Sequence, residues 1–391
     1  MTMQDLIVEK RMDEDTFQTE QVLTVSGGHF VHDVYSSFLP PLLPLLIEKL
    51  SLTLTMVGSL NAFLQFPAIL TPFIGHLADQ YNLRYLVILA PGLTATLMSA
   101  MGLVPTYVAL ALLLTLTGIS VAFFHAPAPA MVGQISGRRV GRGMSLFMGG
   151  GELARTIGPL VAVWAASLWG LGGMFRVVVI GWGSSILLFW RLRAVPVSAR
   201  GNGSLRRILP KLRSLFLPLF VIIFFRMFML VCMTTYLPTF MNQNGATLIL
   251  AGASLSILEL AGFVGALSGG TLSDRLGRKP LLLGITILAP LLMLAFLNVS
   301  GWLLVPVLLF HGFVSISASP VFLALIQGNF PENRAVSNGL YISMNFLLRS
   351  LAMVLVGIAG DAFGLQVAFT GSAGLALLGL VGIFMLPDEI K

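Results

Sequence analysis

Ionisable side chains interrupt several long apolar stretches of this sequence, and they are the residues whose types and spacing could do chemistry. His29 and Asp33 are four residues apart, so a helix places them on one face. Glu152 and Arg155 are three residues apart and share a face in the same way. An ionisable group within a membrane-spanning helix is costly, so it normally faces a partner or a water-filled cavity. These residues are therefore the first candidates for a functional site.

The acid and the histidine in the first apolar stretch indicate proton chemistry. Burial disfavours the charged form of a carboxyl group, whereas a nearby imidazole or guanidinium favours it, and the balance can set proton release near a working pH. We predict that Asp33 carries a proton and that His29 tunes it. Glu152 is the second candidate for the carrier. The alternative is that Asp33 only makes a structural hydrogen bond between helices.

Basic side chains in the later apolar stretches predict the binding of an anion. A guanidinium holds an anionic group by two parallel hydrogen bonds, which suits Arg226 and Arg349. The Glu152–Arg155 pair either opens when substrate or a proton arrives or is a static ion pair. Glu259 is an alternative partner that would neutralise one of the arginines. The predicted substrate-binding residues are Arg155, Arg226, Arg349, His125, Tyr35 and Glu259.

A metal site is the competing interpretation of the first stretch. His29, His32 and Asp33 are ligand types that borderline metals accept. One acid and two histidines that do not share a helical face make a weak set, so we predict no metal site and no cofactor. The sequence also has no H-E-x-x-H motif, no phosphate-binding loop and no nucleophile–base motif. We therefore do not expect an enzyme.

The composition predicts an all-α membrane protein. Of the 391 residues, 56% are hydrophobic and 10% are charged, and the mean hydropathy is +0.91. A soluble domain carries about 25% charged residues. Apolar stretches of about 20 residues, the length that spans a bilayer as a helix, recur along the whole chain. So many long apolar helices could not all be buried in one soluble core.

Charged clusters mark the loops better than glycine and proline do, because membrane helices tolerate both. They predict twelve spans and place Asp361 near the end of span eleven, where we expect it to be solvated. The spans are 21–47, 53–78, 85–104, 106–133, 143–169, 175–193, 216–241, 248–273, 280–298, 302–328, 338–363 and 367–386. The predicted domains are a tail at 1–20, a six-helix bundle at 21–193, a basic linker at 194–215, a second six-helix bundle at 216–386 and a tail at 387–391.

Lysine and arginine are distributed unevenly between the two sets of loops. Because the basic residues lie in short loops between apolar helices, we interpret the net charge of +7 as a sign of membrane topology and not of nucleic-acid binding. One set of loops, together with both tails, holds 18 of the 23 basic residues, whereas the opposite loops hold only Lys49 and Arg176. The 18 are Lys10, Arg11, Arg84, Arg138, Arg139, Arg142, Arg191, Arg193, Arg200, Arg206, Arg207, Lys211, Arg213, Arg275, Arg278, Lys279, Arg334 and Lys391.

Both termini are therefore expected in the cytosol, because loops rich in lysine and arginine stay on the cytosolic side. Reporter fusions after Lys391 and within the loop at 201–204 should both give a cytosolic signal. An external signal from either fusion would contradict the number of spans or their orientation.

Two similar loops lie half a chain apart and indicate an internal repeat. The first runs from Gly75 to Arg84 and follows span two, and the second runs from Gly270 to Lys279 and follows span eight. Their aspartates, Asp79 and Asp274, are 195 residues apart. A six-plus-six repeat is typical of transporters whose substrate site lies between the two halves.

The pattern Gly-x-Leu-x-Asp-Arg-x-Gly-Arg-Lys in the second loop resembles the signature loop of the major facilitator superfamily. In the first loop Gln80 stands where the pattern has Arg, and Asn82 stands where it has Gly. The resemblance implies a twelve-helix fold in two six-helix halves and a gating role for these loops. The first glycine of the pattern, which is Gly270 in the second loop, is expected to let neighbouring helices approach closely. The gating residues implied are Gly75, Asp79, Arg84, Gly270, Asp274, Arg275, Gly277 and Arg278.

Two shorter stretches resemble the fosmidomycin-resistance-like efflux branch of that superfamily. They are Gly28–Tyr35, followed by Phe38-Leu39-Pro40, and Phe124-His125-Ala126-Pro127. This resemblance implies a proton-driven exporter of small amphiphilic or anionic compounds in the bacterial inner membrane, without a cofactor and acting as a monomer. The alternatives are an importer or symporter of an organic anion, a lipid flippase and a metal transporter.

Overall fold

The computed structural model describes residues 17–71, 73–74, 77, 81, 83–193, 209–330 and 334–387. Within these ranges the regular structure is helical. The first half contains α1 (Thr19–Ser36), α2 (Leu39–Leu50), α3 (Leu54–Gln65), α4 (Arg84–Ser99), α5 (Tyr107–His125), α6 (Ala128–Ile135), α7 (Val140–Gly173) and α8 (Val178–Leu192). The second contains α9 (Leu209–Val231), α10 (Leu237–Gln243), α11 (Leu248–Leu276), α12 (Arg278–Asn298), α13 (Leu304–Asn329), α14 (Arg334–Phe363), α15 (Leu365–Leu377) and α16 (Gly379–Met385).

These helices confirm the predicted all-α membrane fold of two six-helix halves. Ten helical segments in the described part of the chain are long and apolar enough to cross a membrane. One of them, Gly141–Leu192, covers two of the predicted spans, and the shorter apolar segment Leu54–Leu70 corresponds to span two. The twelve predicted spans are thereby accounted for.

The first span of each half is interrupted near its middle. α1 ends at Ser36 and α2 begins at Leu39, with Pro40 and Pro41 in its first turn. Proline lacks an N–H and fits the first turn of a helix, where that group has no partner in the helix. In the second half, Cys232–Tyr236 forms a π-helical turn between α9 and α10. Such turns within helices are frequent at functional sites.

The two halves touch at the end of the bundle where α2 ends, which we call the far end. The opposite end, where α1 begins, is the terminal end. α3 packs against α14, α7 against α11, and α2 against α10. The contact between α3 and α14 is very close, because a Cβ atom at Gly58 would lie 2.3 Å from the backbone oxygen of Met353. Only glycine permits this approach.

The second signature loop lies at the terminal end and only partly fits its predicted geometry. Gly277 has a φ of +86° and joins α11 to α12, a conformation that favours glycine. The expectation that Gly270 allows a close helix approach is wrong, since a Cβ atom there meets nothing within 4 Å. The neighbouring Gly269 has that role against the backbone of Ser317.

The charged residues of this loop lie at or near its surface. Asp274 and Arg275 are exposed, and Arg278 donates to the backbone oxygen of Ala324 at 3.1 Å. In the first loop, the guanidinium of Arg84 lies over the ring of Tyr85. Gly75 and Asp79 lie outside the described residues.

We expect these loops to control the rate of conformational exchange and not the binding of substrate. Asp79→Asn or Asp274→Asn should slow transport, while the dissociation constant for substrate stays within a few-fold of wild type. Transport rates and equilibrium binding measured on the same purified variant would check this. Loss of binding in a folded variant would place the aspartate in the binding site and contradict the gating role.

Candidate proton and anion site

Asp33 is buried near the end of α1 and has three histidines around its carboxylate. His32 Nδ1 lies 2.8 Å from Oδ1, His29 Nε2 lies 3.2 Å from Oδ2, and His125 Nε2 lies 3.5 Å from Oδ1. His29 and Asp33 thus share a helical face, as their spacing predicts. His125 comes from α5, so the group joins two helices of the first half.

Aromatic rings and a glycine fix the orientation of the imidazoles. The ring of His29 stacks on Phe147 at 4.0 Å between centroids, and that of His32 stacks on Phe124 at 4.6 Å. Gly151 on α7 makes room for His29, because a Cβ atom there would lie 2.5 Å from its Cε1. These contacts hold the two rings in place beside the carboxylate.

Two histidines have positions that the sequence did not predict. His32 does not lie on the face shared by His29 and Asp33 in the sequence interpretation, yet its Nδ1 reaches the adjacent carboxylate. His125, predicted as a substrate contact, lies beside the predicted proton carrier. The Phe-His-Ala-Pro stretch marked His125 as unusual, but only tertiary structure brings it to α1.

A second charged group lies on α7 and extends across the boundary between the halves. Arg155 donates a hydrogen bond to Glu152, as their spacing predicts. The side chain of Arg155 is 46% exposed and lies within electrostatic range of both Asp33 and Glu259. Glu259 is buried on α11 and belongs to the second half. The group therefore links the Asp33 cluster to the opposite half.

Arg226 and Arg349, the two arginines within the apolar spans of the second half, have no carboxylate at hydrogen-bond distance among the described residues. Arg226 is buried, donates to the backbone oxygen of Ser315 and lies over the ring of Phe322. Arg349 donates to the hydroxyl of Thr234 at 2.9 Å. The Nε atom of each arginine is buried and has no hydrogen-bond partner. Each arginine therefore retains a donor for an anionic group.

Tyr35 takes part in packing within the first half. Its hydroxyl donates to the backbone oxygen of Val177, and its ring packs against Phe38. The side chain is 2% exposed. The structure does not bring its hydroxyl to the charged groups around Asp33 or Arg226, so its predicted contact with substrate has no support from this geometry.

Asp361 is exposed, as expected, and it also joins the two halves at the far end. Its carboxylate accepts hydrogen bonds from the N–H of Leu54 at 2.7 Å and from the N–H of Thr55 at 2.8 Å. It also accepts a bond from the hydroxyl of Thr55 at 2.5 Å. These N–H groups begin α3 and have no partner within the helix, so a carboxylate satisfies them and favours the helix dipole.

Removing the charge of Asp361 should weaken the contact between the halves at the far end. We expect Asp361→Asn to lose the interaction of the charge with the helix dipole, which is worth about 0.3–1 kcal/mol at an exposed site. A residue buried in this contact should then react faster with a polar thiol reagent, tested with a cysteine at Met353 in a Cys232→Ser background. An unchanged labelling rate would show that the contact does not hold the far end closed.

Comparison with known proteins agrees with this architecture. The sequence profile of the Major Facilitator Superfamily matches residues 25–353 and 270–391. The chain belongs to the major facilitator superfamily. Solved structures with this fold include a bacterial homologue of the human lysosomal transporter Spinster in an inward-facing, occupied conformation. Its TM-score is 0.81 at 14% identity, covering 94% of this chain and 96% of that chain.

A D-xylose–proton symporter shares the superfamily fold as well, with a TM-score of 0.76 at 16% identity over 96% of this chain and 99% of that chain. Among superfamily relatives of known sequence, the fosmidomycin resistance protein of Escherichia coli is 25% identical over 93% of this chain and 92% of its own. The multidrug resistance protein MdtG of Citrobacter koseri is 26% identical over 92% of this chain and 93% of its own.

Proposed function

We propose that this transporter is a proton-coupled antiporter that exports a small amphiphilic or anionic compound from the bacterial cytoplasm by alternating access. The observation that carries the proposal is a buried carboxylate, Asp33, with three imidazoles within 3.5 Å of it in the membrane-spanning region. Such groups are costly in a membrane and are generally functional. The names of the relatives, which refer to resistance, support export as the direction.

The second half supplies the groups for an anionic substrate. Arg226 and Arg349 keep buried Nε atoms without hydrogen-bond partners. An anionic group that accepted these donors would supply the hydrogen bonds that the two Nε atoms lack. Apolar neighbours such as Phe322 favour a compound with an apolar part as well.

The charged group on α7 offers a route for coupling between proton and substrate. Arg155 lies within electrostatic range of Asp33 on one side and of Glu259 on the other. Protonation of Asp33 removes one of the three negative charges that attract Arg155 and leaves Glu152 and Glu259 as its remaining anionic partners. A ligand shifts a conformational equilibrium only through different free energies of interaction with the two states. In this protein, the proton would shift the equilibrium between conformations through the contacts between α7 and α11.

Resistance and accumulation in bacteria that overproduce the protein test this proposal. The compounds should include fosmidomycin, because a relative carries it in its name, and a panel of organic anions and amphiphiles. We expect resistance and lower accumulation of at least one compound, both lost when an ionophore collapses the pH gradient. Asp33→Asn, expressed at the same level, is the matched control. Higher accumulation of a compound in the overproducing cells would indicate import and contradict export.

A further inference from the structure

Backbone carbonyls determine which ring nitrogen carries the proton in two of the clustered histidines. His29 Nδ1 lies 2.7 Å from the oxygen of Phe147, and His125 Nδ1 lies 3.1 Å from the oxygen of Val121. A carbonyl oxygen only accepts hydrogen bonds, so both Nδ1 atoms must donate. In the neutral state each ring therefore presents an unprotonated Nε2.

These two Nε2 atoms point at each other and at the carboxylate. The distance from His29 Nε2 to His125 Nε2 is 3.3 Å. The same atoms lie 3.2 Å and 3.5 Å from the two oxygens of Asp33. If the rings are neutral and the carboxylate is ionised, each of these three contacts brings two hydrogen-bond acceptors together without a proton between them. Acceptors without a donor are costly in a buried environment, so the geometry requires a cation among them.

Other charged groups nearby do not supply the missing donor. His32 donates from Nδ1 to Asp33 Oδ1, at the side of the carboxylate away from the His29 contact. Arg155 on α7 donates to Glu152, and Glu259 on α11 is itself an acceptor. The exposed member of the cluster is His125, whose side chain is 35% exposed against 4% for His29.

We propose that His29, Asp33 and His125 form one site that holds two protons jointly, a proposal that rests on the proton-coupled function above. One proton lies between His29 Nε2 and Asp33 Oδ2. The other is bound to His125 Nε2 and is shared with Asp33 Oδ1. Filling the site changes its charge from −1 to +1 and turns both contacts with the carboxylate into hydrogen bonds, in which each Nε2–H faces its own oxygen. His125 is thus a proton-binding residue.

Loss of both protons would bring the repulsion back. The contacts concerned join α1 to α5 directly, and they join α1 to α7 through the bond from His29 to Phe147. Emptying the site therefore loosens α1 from the two helices that surround it. This gives the proton a structural effect that a lone aspartate would not have.

His311 in the second half provides a matched control. Its Nδ1 also faces a backbone oxygen, that of Ala289, at 3.1 Å. Its Nε2, however, lies 3.1 Å from the hydroxyl of Ser315, which can donate to it. A neutral His311 is therefore fully satisfied and needs no additional proton, although it is as buried as His29.

Nitrogen-15 NMR of the histidine rings in the purified full-length protein tests the proposal directly. The chain has 5 histidines, so single substitutions assign every signal. At high pH we expect His29 and His125 as neutral rings protonated on Nδ1, and on lowering the pH their Nε2 signals should shift together. Potentiometric titration should show one proton fewer bound in His125→Gln than in wild type. His311→Gln should bind as many as wild type.

Three results would overturn the shared-proton site. They are neutral rings protonated on Nε2, independent titration of the two rings, and equal proton binding by His125→Gln and wild type. Titration with Zn²⁺ alone tests whether the site binds a metal ion instead of protons. Tetrahedral Zn²⁺ with bonds of about 2.0–2.1 Å holds its ligand atoms roughly 3.3 Å apart, which is the distance between the two Nε2 atoms. One Zn²⁺ bound tightly at neutral pH through both rings would make this a metal site instead. None of these measurements uses a transported compound, so they can succeed or fail independently of the resistance assay.

Discussion

Asp33→Asn should abolish transport driven by a pH gradient while leaving substrate binding intact. Asparagine has nearly the shape of the protonated aspartic acid but cannot release a proton, so the variant should behave as a permanently protonated carrier. Binding of the compound found in the resistance screen should then lose most of its pH dependence. The measurement is uptake into proteoliposomes with and without an imposed gradient, together with binding titrations at several pH values.

Glu152→Gln is the informative companion variant, because Glu152 is the second candidate for the proton carrier. Proton release on addition of the compound to solubilised protein should persist in Glu152→Gln and disappear in Asp33→Asn. Both variants must first match wild type in elution volume and melting temperature, which shows that they are folded. This control is needed because Asp33 also accepts a hydrogen bond from His32. If Asp33→Asn releases protons and transports against a gradient as wild type does, Asp33 is structural. If only Glu152→Gln loses release, Glu152 is the carrier.

The fold could be predicted from local properties of the sequence. A bilayer fixes the length of a helix that crosses it, so hydropathy alone locates spans such as Arg278–Asn298, which the sequence placed at 280–298. The repeated loops added the division into halves, because Asp79 and Asp274 are half a chain apart. The end of α1 at Ser37 and the π-helical turn at Cys232–Tyr236 were not predicted, since the mean hydropathy of a whole span does not resolve such short local changes.

The candidate site could be predicted only where its residues share one helix. Helical spacing is sufficient to pair His29 with Asp33 and Glu152 with Arg155. The contact of His125 with Asp33 depends on how α5 packs against α1, which no local pattern determines. The contact that Asp361 makes with the other half was not predicted. A carboxylate at the end of a span usually meets water, and its partners at Leu54 and Thr55 are more than 300 residues away in sequence.

The close contact between α3 and α14 also bears on mechanism, because alternating access requires the far end both to close and to open. Tyr236 of the π-helical turn lies at this contact. Its hydroxyl is 3.1 Å from the oxygen of Leu54 and 2.8 Å from that of Met353. Gly357 faces the same oxygen of Leu54, and a Cβ atom there would lie 2.3 Å from it. The closed far end therefore depends on small residues on both helices.

Gly58→Ala should shift the protein strongly towards a conformation that is open at the far end. The added Cβ atom would lie 2.3 Å from the oxygen of Met353, which belongs to the backbone and cannot rotate away. Overpacking of this kind costs about 1–3 kcal/mol, which corresponds to a change of roughly 5- to 150-fold in a conformational equilibrium. Transport should fall by a similar factor, because the closed state becomes rare.

Spin labels at Leu103 and Trp302 in a Cys232→Ser background measure this shift without any substrate. Both residues are exposed at the far end, on opposite halves. Gly58→Ala should lengthen the distance between the labels in most molecules. Gly371→Ala is the matched control, since a Cβ atom there meets nothing within 4 Å, and it should leave the distance distribution unchanged. A distribution in Gly58→Ala identical to the control would mean that α3 and α14 close without the contact at Met353, and the predicted steric gate would be wrong.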